Sequence, residues 1–419
     1  MFRINTGWKT PDTYRRLRAM RRCVKVFVQM TSLGIYVQVP FCQTKCTYCN
    51  FHTGVVASSR FAPYVSAICL EVKTYRDLYA ATGIELAPAI AESATVDTVY
   101  IGGGTPSLLD PAHLQNLLNT IRDSFGSDPS EVTLEADPET VDAQKASAWV
   151  RAGINRVSFG VQSFSDAELA ASGRMHRRAD IYRAVLILRE AGILNIGFDL
   201  IAVLPLQTLG SWRESVDRLV ELAPEHVSVY ILEVDEKSRL GNELLKGGKR
   251  YSASAVPSED QMAEFYELAQ TSFSGASYHH YEISNWAKSG FESRHNLKYW
   301  RREAYLGFGA GAHSFSGVQR WANAHDAAGY VNSIHNGCLP VEQLERLTPE
   351  AALEEELFLG LRQLDGIDVS RIEKDYAVKL APRFDPLASS GMLEWNGSVV
   401  RLAPSRLSVS NEVFVELLR

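Results

Sequence analysis

An alternation of strand-like and helix-like stretches constrains this chain more than any other feature. Six short β-rich runs, at residues 34–39, 98–101, 131–134, 156–160, 195–201 and 226–231, are each followed by a helix-like segment, such as residues 111–125, 143–152 or 181–191. Such alternation builds βαβ units and hence a parallel sheet. Polar or Gly-rich residues stand at the C-terminal end of every run, where the active sites of parallel barrels gather. Six units are too few for a closed eight-stranded barrel. The expectation is therefore an α/β fold with a partial (β/α)6 barrel over residues 34–235, its gap covered by the segment C-terminal to it.

Residues 236–345 read as a connecting and capping region. Its first part, residues 235–257, is rich in Gly, Ser and charge and suggests a mobile loop or lid. Ser258 followed by Gln261 has the pattern of a helix N-cap and its box. Residues 346–419 look like a separate small domain. A helix is expected over 348–364, two shorter helices after it, a hairpin around Asn396–Gly397 and a last helix from about Asn411. Helices followed by one hairpin suggest a winged-helix-like module. From Glu350 onward twelve acids face eight bases, which argues against reading DNA.

Of the 419 residues, 46% are hydrophobic and 22% charged, with a net charge of −6. That balance gives no reason to expect nucleic acid or an anionic membrane as partner. The first thirty residues hold eight Lys or Arg and one acid, Asp12, without a Ser-rich character or a clean apolar core. Residues 1–33 are read as an N-terminal extension, with Met30 the candidate start. Six cysteines are few for this length. Cys23, Cys69 and Cys338 are scattered, and Cys69 falls in an apolar stretch as a small core residue would. The expected compartment is the reducing cytoplasm.

Cys42, Cys46 and Cys49 have the spacing CxxxCxxC directly after the first strand-like run. Three thiolates on one short loop can hold three corners of a cubane and leave the fourth iron open to a small molecule. A structural zinc site would want a fourth ligand nearby, for which His52 is the local candidate. The segment VPFCQTKCTYCNF resembles the cluster loop of the radical S-adenosylmethionine (SAM) family. The resemblance implies a 4Fe-4S cluster whose open iron chelates the amino and carboxylate groups of SAM. One electron then cleaves the sulfonium and releases a 5′-deoxyadenosyl radical. Tyr48, between two of the ligands, would pack on the cluster or the adenine, and Tyr36 precedes the loop on the first strand.

The turn IGGGTP, with Gly103, Gly104 and Thr105, closes the second run. Its glycines would let the backbone approach an anionic group, and in the family this loop cradles the amino-acid end of SAM. Glu135, Gln162, Arg174 and Asp199 stand at or just after later strand ends and are implied as further SAM contacts. GIYVQVPFC, VYIGGGTPS, GINRVSFGVQSF, HYEISNWA and YLGFGAGAHSF are similar to signatures of the coproporphyrinogen III oxidase-like branch. The oxidases of that branch, which act in porphyrin biosynthesis, carry another cysteine two positions beyond the third ligand, where this chain has Phe51. A heme chaperone subgroup is marked instead by HNxxYW, here His295 to Trp300.

The resemblance thus implies a chaperone that binds heme and hands it to respiratory heme proteins. A reductant for the cluster and a transient contact at the membrane surface are implied partners. His295 is the candidate axial ligand, with Tyr299 and Trp300 packing on the macrocycle. The alternative is that His295 packs locally and the motif is a fold element. Oxidative decarboxylation of coproporphyrinogen and radical SAM methyl transfer are the rival activities. Three departures from the family pattern bear on the site. Gln38 replaces a usual His, Asn50 a common Asp, and LIAVLPLQT lacks two glycines, at Val203 and Leu206.

Overall fold

The computed structural model describes residues 32–93 and 95–418, so the extension up to residue 31, with Cys23, lies outside the described residues. Six strands run parallel and in sequence order: β1 (Leu33–Val39), β2 (Val96–Gly103), β3 (Glu131–Ala136), β4 (Arg156–Gln162), β5 (Asn195–Ala202) and β6 (His226–Ile231). Each expected run is found, longer by up to two residues at an end. Helices Phe61–Thr82, Pro111–Phe125, Ala143–Ala152, Arg178–Ala191 and Leu209–Leu222 cross between them. The helix starts are written locally. Asp110 accepts from the Ala112 amide at 2.8 Å and Asp142 from the Lys145 amide at 2.8 Å, satisfying N–H groups that the first turn leaves free.

The two faces of this sheet differ, as period-two strands require. Ile35, Val37, Val39, Val99, Ile101, Val132, Leu134, Val157 and Phe159 are buried in the apolar core. The alternate residues share the other face through the strand register, which aligns Tyr36 with Tyr100, Glu135 with Ser158 and Asp199 with Ser228. That inner face is polar along its whole length, not only at the strand ends.

The segment expected to cover the gap instead widens the sheet at both edges. Tyr305–Phe308 pairs in parallel with β1 and leads to His313–Phe315, Gln319–Asn323 and Val341–Arg346. At the other edge Asn285–Ala287 pairs antiparallel with β6 and then with His279–Glu282, completing a twelve-stranded sheet. These strands are three to six residues long, too short to show a period in the sequence. The segment expected as a mobile loop carries a helix, Arg239–Leu245, capped by Ser238, which accepts from the Gly241 amide at 2.8 Å. It is tied to the cysteine loop: the Leu240 amide donates to the Thr47 carbonyl at 2.8 Å and Asn50 to the Asp235 carboxylate at 2.9 Å. Ser258 and Gln261 form the expected capping box of helix Glu259–Gly275.

The C-terminal module follows the winged-helix order. Helices Pro349–Gly360, Val369–Tyr376 and Ala381–Ser389 precede the hairpin Leu393–Trp395 and Val399–Leu402, which Ile367–Asp368 joins as a third strand. Among the described residues no helix is long and apolar enough to cross a membrane.

Candidate functional site

The three clustered cysteines emerge from the C-terminal end of β1. Cys42 lies in a two-residue pairing, Phe41–Cys42 against Gly54–Val55, which folds the loop back on itself. All three thiols are half-buried, and among the described residues none is in a disulfide. Burial pushes the Cys42 and Cys49 thiols up, opposed at both by the Thr53 hydroxyl. Among the described residues no three His, Cys, Asp or Glu side chains converge as ligands of a single ion would. A cubane takes one thiolate at each of three separate corners and needs no such convergence.

The glycine turn at the end of β2 is laid against this loop. The Gly104 amide donates to the Val39 carbonyl at 2.8 Å and the Thr105 amide to the Phe41 carbonyl at 2.7 Å. A Cβ at Gly104 would stand 2.9 Å from the Cys42 sulfur, closer than side chains tolerate. Gly103 has a φ of 122°, and a Cβ there would meet the Gln38 amide nitrogen at 2.7 Å. The backbone thus approaches the cysteine loop in a way only glycine allows. Glu135 fixes the turn from below. It accepts from the Gly103 amide at 2.9 Å and from the Tyr100 phenol at 2.9 Å, and burial raises its pKa to about 7.

Tyr36 donates to the Gln38 side chain at 2.6 Å, so the residue that replaces the usual His holds its amide against Gly103. Arg174 reaches the loop from beyond β4. Its guanidinium pairs with Asp137, donates to the Gly160 carbonyl at 2.7 Å and lies 3.6 Å from the Cys46 sulfur. Among the described residues its buried Nε has no hydrogen-bond partner, which suits an added acceptor. Asp137 also accepts from Thr105 at 3.1 Å and so joins the glycine turn to Arg174. Sequence reasoning passed over Asp137, although it lies in the same EADP segment as Glu135. Gln162 ends β4 with a φ of 65°, and Asp199 faces the lumen, accepting from Ser158 at 3.2 Å. Tyr48 is half-buried against the core beneath the loop.

The structure therefore gathers Tyr36, Tyr48, Gly103, Gly104, Thr105, Glu135, Gln162, Arg174 and Asp199 with the cysteines along the C-terminal end and inner face of the sheet. It does not bring His295, Tyr299 and Trp300 there. Their helix, Arg294–Trp300, crosses the opposite end of the strands. Glu131, which opens β3, accepts from the amides of Arg294 and His295 at 3.1 and 2.9 Å. Lys298 pairs with Asp97 on β2 at 2.9 Å. His295 is fully buried, with Nδ1 2.9 Å from the Thr98 hydroxyl and Nε2 2.8 Å from the Tyr299 hydroxyl. Burial is the main cause that lowers its pKa to about 3. This is the local packing that the sequence left open as the alternative to heme ligation.

Residues 36–219 match the Radical SAM superfamily and residues 347–410 the HemN C-terminal domain. The Heme chaperone HemW of Bacillus subtilis (strain 168) is 36% identical over 387 residues, which cover 90% of this chain and 97% of that protein. The Heme chaperone HemW of Mycobacterium tuberculosis (strain ATCC 25618 / H37Rv) is 34% identical, over 87% of this chain and 89% of that one. Among solved structures, the coproporphyrinogen III oxidase HemN of Escherichia coli superposes with a TM-score of 0.76 at 20% identity, covering 94% of this chain and 91% of that chain. That likeness is one of fold.

Proposed function

Because the chain belongs to the radical SAM superfamily and to its heme chaperone HemW family, we propose that it is a heme chaperone carrying a 4Fe-4S cluster on Cys42, Cys46 and Cys49. It binds SAM beside the cluster and hands heme to respiratory heme proteins from the cytoplasm. A reductant serves the cluster, and delivery involves a transient contact at the membrane surface. The observation that supports the cofactor reading best is the Gly102–Thr105 turn pressed on Cys42, where a Cβ at Gly104 would reach the sulfur at 2.9 Å.

When bound, the cluster supplies an open iron and an electron for the sulfonium. This chain's own residues bind and orient. Gly103 and Gly104 leave backbone room for the amino-acid end of SAM, while Glu135 holds the turn in place. The Asp199 carboxylate, facing the lumen, suits the ribose diol or a cationic group. Arg174, neutralised by Asp137, sets the rear of the cysteine loop and can donate toward the cluster. Tyr48 and Gln162 line the remaining walls. The oxidase alternative lacks its extra cysteine, since Phe51 stands there and is exposed.

Anaerobic reconstitution tests this reading. About four irons and four sulfides per chain are expected, with loss of the cluster on replacing any of the three cysteines by Ala and retention on replacing Cys69 or Cys338. Gly103→Ala should keep the cluster and lose SAM binding. The same sample should bind heme and leave coproporphyrinogen unchanged. A stable cluster in Cys46→Ala, or decarboxylation by the wild type, would overturn the assignment.

A further inference from the structure

The HNLKYW helix and the glycine turn lie at opposite ends of the strands, yet an unbroken column of side chains joins them. At the floor, Arg294–Trp300 spans the starts of four strands. It meets Gly34 on β1, Asp97 and Thr98 on β2, and Glu131 on β3, while Arg156 on β4 donates to Ser293 at 3.3 Å. The His295 ring stands on this floor with both nitrogens held, one by Thr98 and one by Tyr299. Its centroid is 5.3 Å from the ring of Tyr100 and 6.4 Å from that of Tyr36, and those two rings stack at 6.1 Å. Above them the phenol of Tyr100 donates to Glu135, which accepts the Gly103 amide through its other oxygen. The phenol of Tyr36 donates to Gln38, whose amide lies against Gly103.

We propose that His295 is a positioning residue of the SAM site and not an axial heme ligand: its ring fixes Tyr100, and Tyr100 fixes the carboxylate that shapes the Gly103 turn. The inference rests on the reading of that turn as the SAM cradle. A close-packed interior transmits the loss of a ring, because its neighbours relax into the space and carry their hydrogen-bonding groups with them. Heme ligation by His295 would require one of the two ring contacts to break and the fully buried ring to be uncovered, which the floor helix packed on the strand starts prevents. Such a ligand would also sit at the end of the barrel remote from the cysteines.

The test measures SAM affinity, and the change that SAM causes in the electron paramagnetic resonance signal of the reduced cluster, on the anaerobically reconstituted full chain. His295→Ala and Tyr100→Phe should each weaken SAM by about tenfold, and the double variant should be no weaker than His295→Ala within about twofold. His295→Phe refills the space under Tyr100 and should recover most of the affinity, which also serves if the Ala variant does not fold. The Soret spectrum with added heme should match the wild type in every folded variant. Unchanged SAM affinity in His295→Ala, additive losses in the double variant, or a lost imidazole signature in His295→Phe would each overturn the proposal. Gly103→Ala separates the two readings. If it leaves SAM binding intact, the cradle itself is wrong; if it abolishes binding while His295→Ala does not weaken it, only the column is wrong.

Discussion

At the scale of single residues, buried titratable groups set how this protein responds to acid. His226, His280 and His295 are depressed chiefly by burial, His280 to about 4 and His295 to about 3. Below the ordinary histidine range the unfolded chain takes up protons that these imidazoles refuse. Their contribution is complete above about pH 6.5 and is lost as pH falls toward the folded values. Glu71 and Glu135, raised by burial to about 7, act in the other direction, and their contribution fades as pH rises through 7. Removing His295 isolates one group from this opposition. In denaturant unfolding of the cofactor-free protein between pH 4.5 and 6, the His295→Phe variant should lose about 1.4 kcal/mol per pH unit of the slope. An unaltered slope would mean that the imidazole is not buried neutral. The inner-face residues were legible only in part. Tyr100, Ser158 and Ser228 recur at the strand period as polar positions inside apolar runs, but a strand end is where ligand contacts are sought, so mid-strand Tyr100 drew no attention. Asp137 was hidden differently, since one EADP segment holds two carboxylates and nothing local says which of them pairs with Arg174.

At the scale of elements, the turn after β5 shows how a loop keeps its shape without the residues that usually give it. Val203 and Leu206, the two positions where the family pattern has glycine, both adopt left-handed backbone, with φ of 71° and 70°. The conformation is therefore retained at a cost of about 1–2 kcal/mol for each side chain. Gln207 holds it. Its carbonyl accepts from the Val203 amide at 2.5 Å and from the Leu204 amide at 3.3 Å, and its amino group donates to Glu168 at 3.1 Å. Leu206 is 45% exposed, so Leu206→Gly should raise the unfolding free energy by roughly 0.5–1 kcal/mol once the greater freedom of glycine in the unfolded chain is counted. Val203 is 1% exposed, and Val203→Gly should instead destabilise by roughly 1 kcal/mol, because lost burial outweighs relieved strain. Gln207→Ala should cost about 2–3 kcal/mol by orphaning buried amides. Thermal or denaturant unfolding of the three variants checks the order, and a stabilised Val203→Gly would contradict it. The parallel strands and the capping boxes could be read from sequence because their signals are local. The edge strands could not, because pairing between residues far apart in the chain makes them strands.

At the scale of the whole molecule, the C-terminal module is bound to the sheet by ion pairs that range from half-buried to, at Glu282, fully buried. Arg362 pairs with the fully buried Glu282, Arg302 with Glu355 and Glu356, and Arg320 with Glu355 at 2.6 Å. Removing Arg362 from the buried Glu282 costs about 3–5 kcal/mol, since that charge remains, and the half-buried pairs add less. A chain ending at residue 346 should therefore unfold at markedly lower denaturant than the full chain, and the full chain should melt in one transition. Two separate transitions in the full chain, with the first matching an isolated C-terminal fragment, would refute that coupling. The pairing of β1 with Tyr305–Phe308 carries a further consequence, for synthesis. Gly34 leaves the ribosome roughly 270 residues before its partner Tyr305, which at about 5–20 residues per second is about 14–54 s. Throughout that interval the strand that leads into the cysteine loop has an open edge, exposed to the crowded surroundings of the nascent chain. The native edge closes only after Tyr305 has emerged, so on the proposed cluster reading metal loading and strand closure would compete in time as the chain is made.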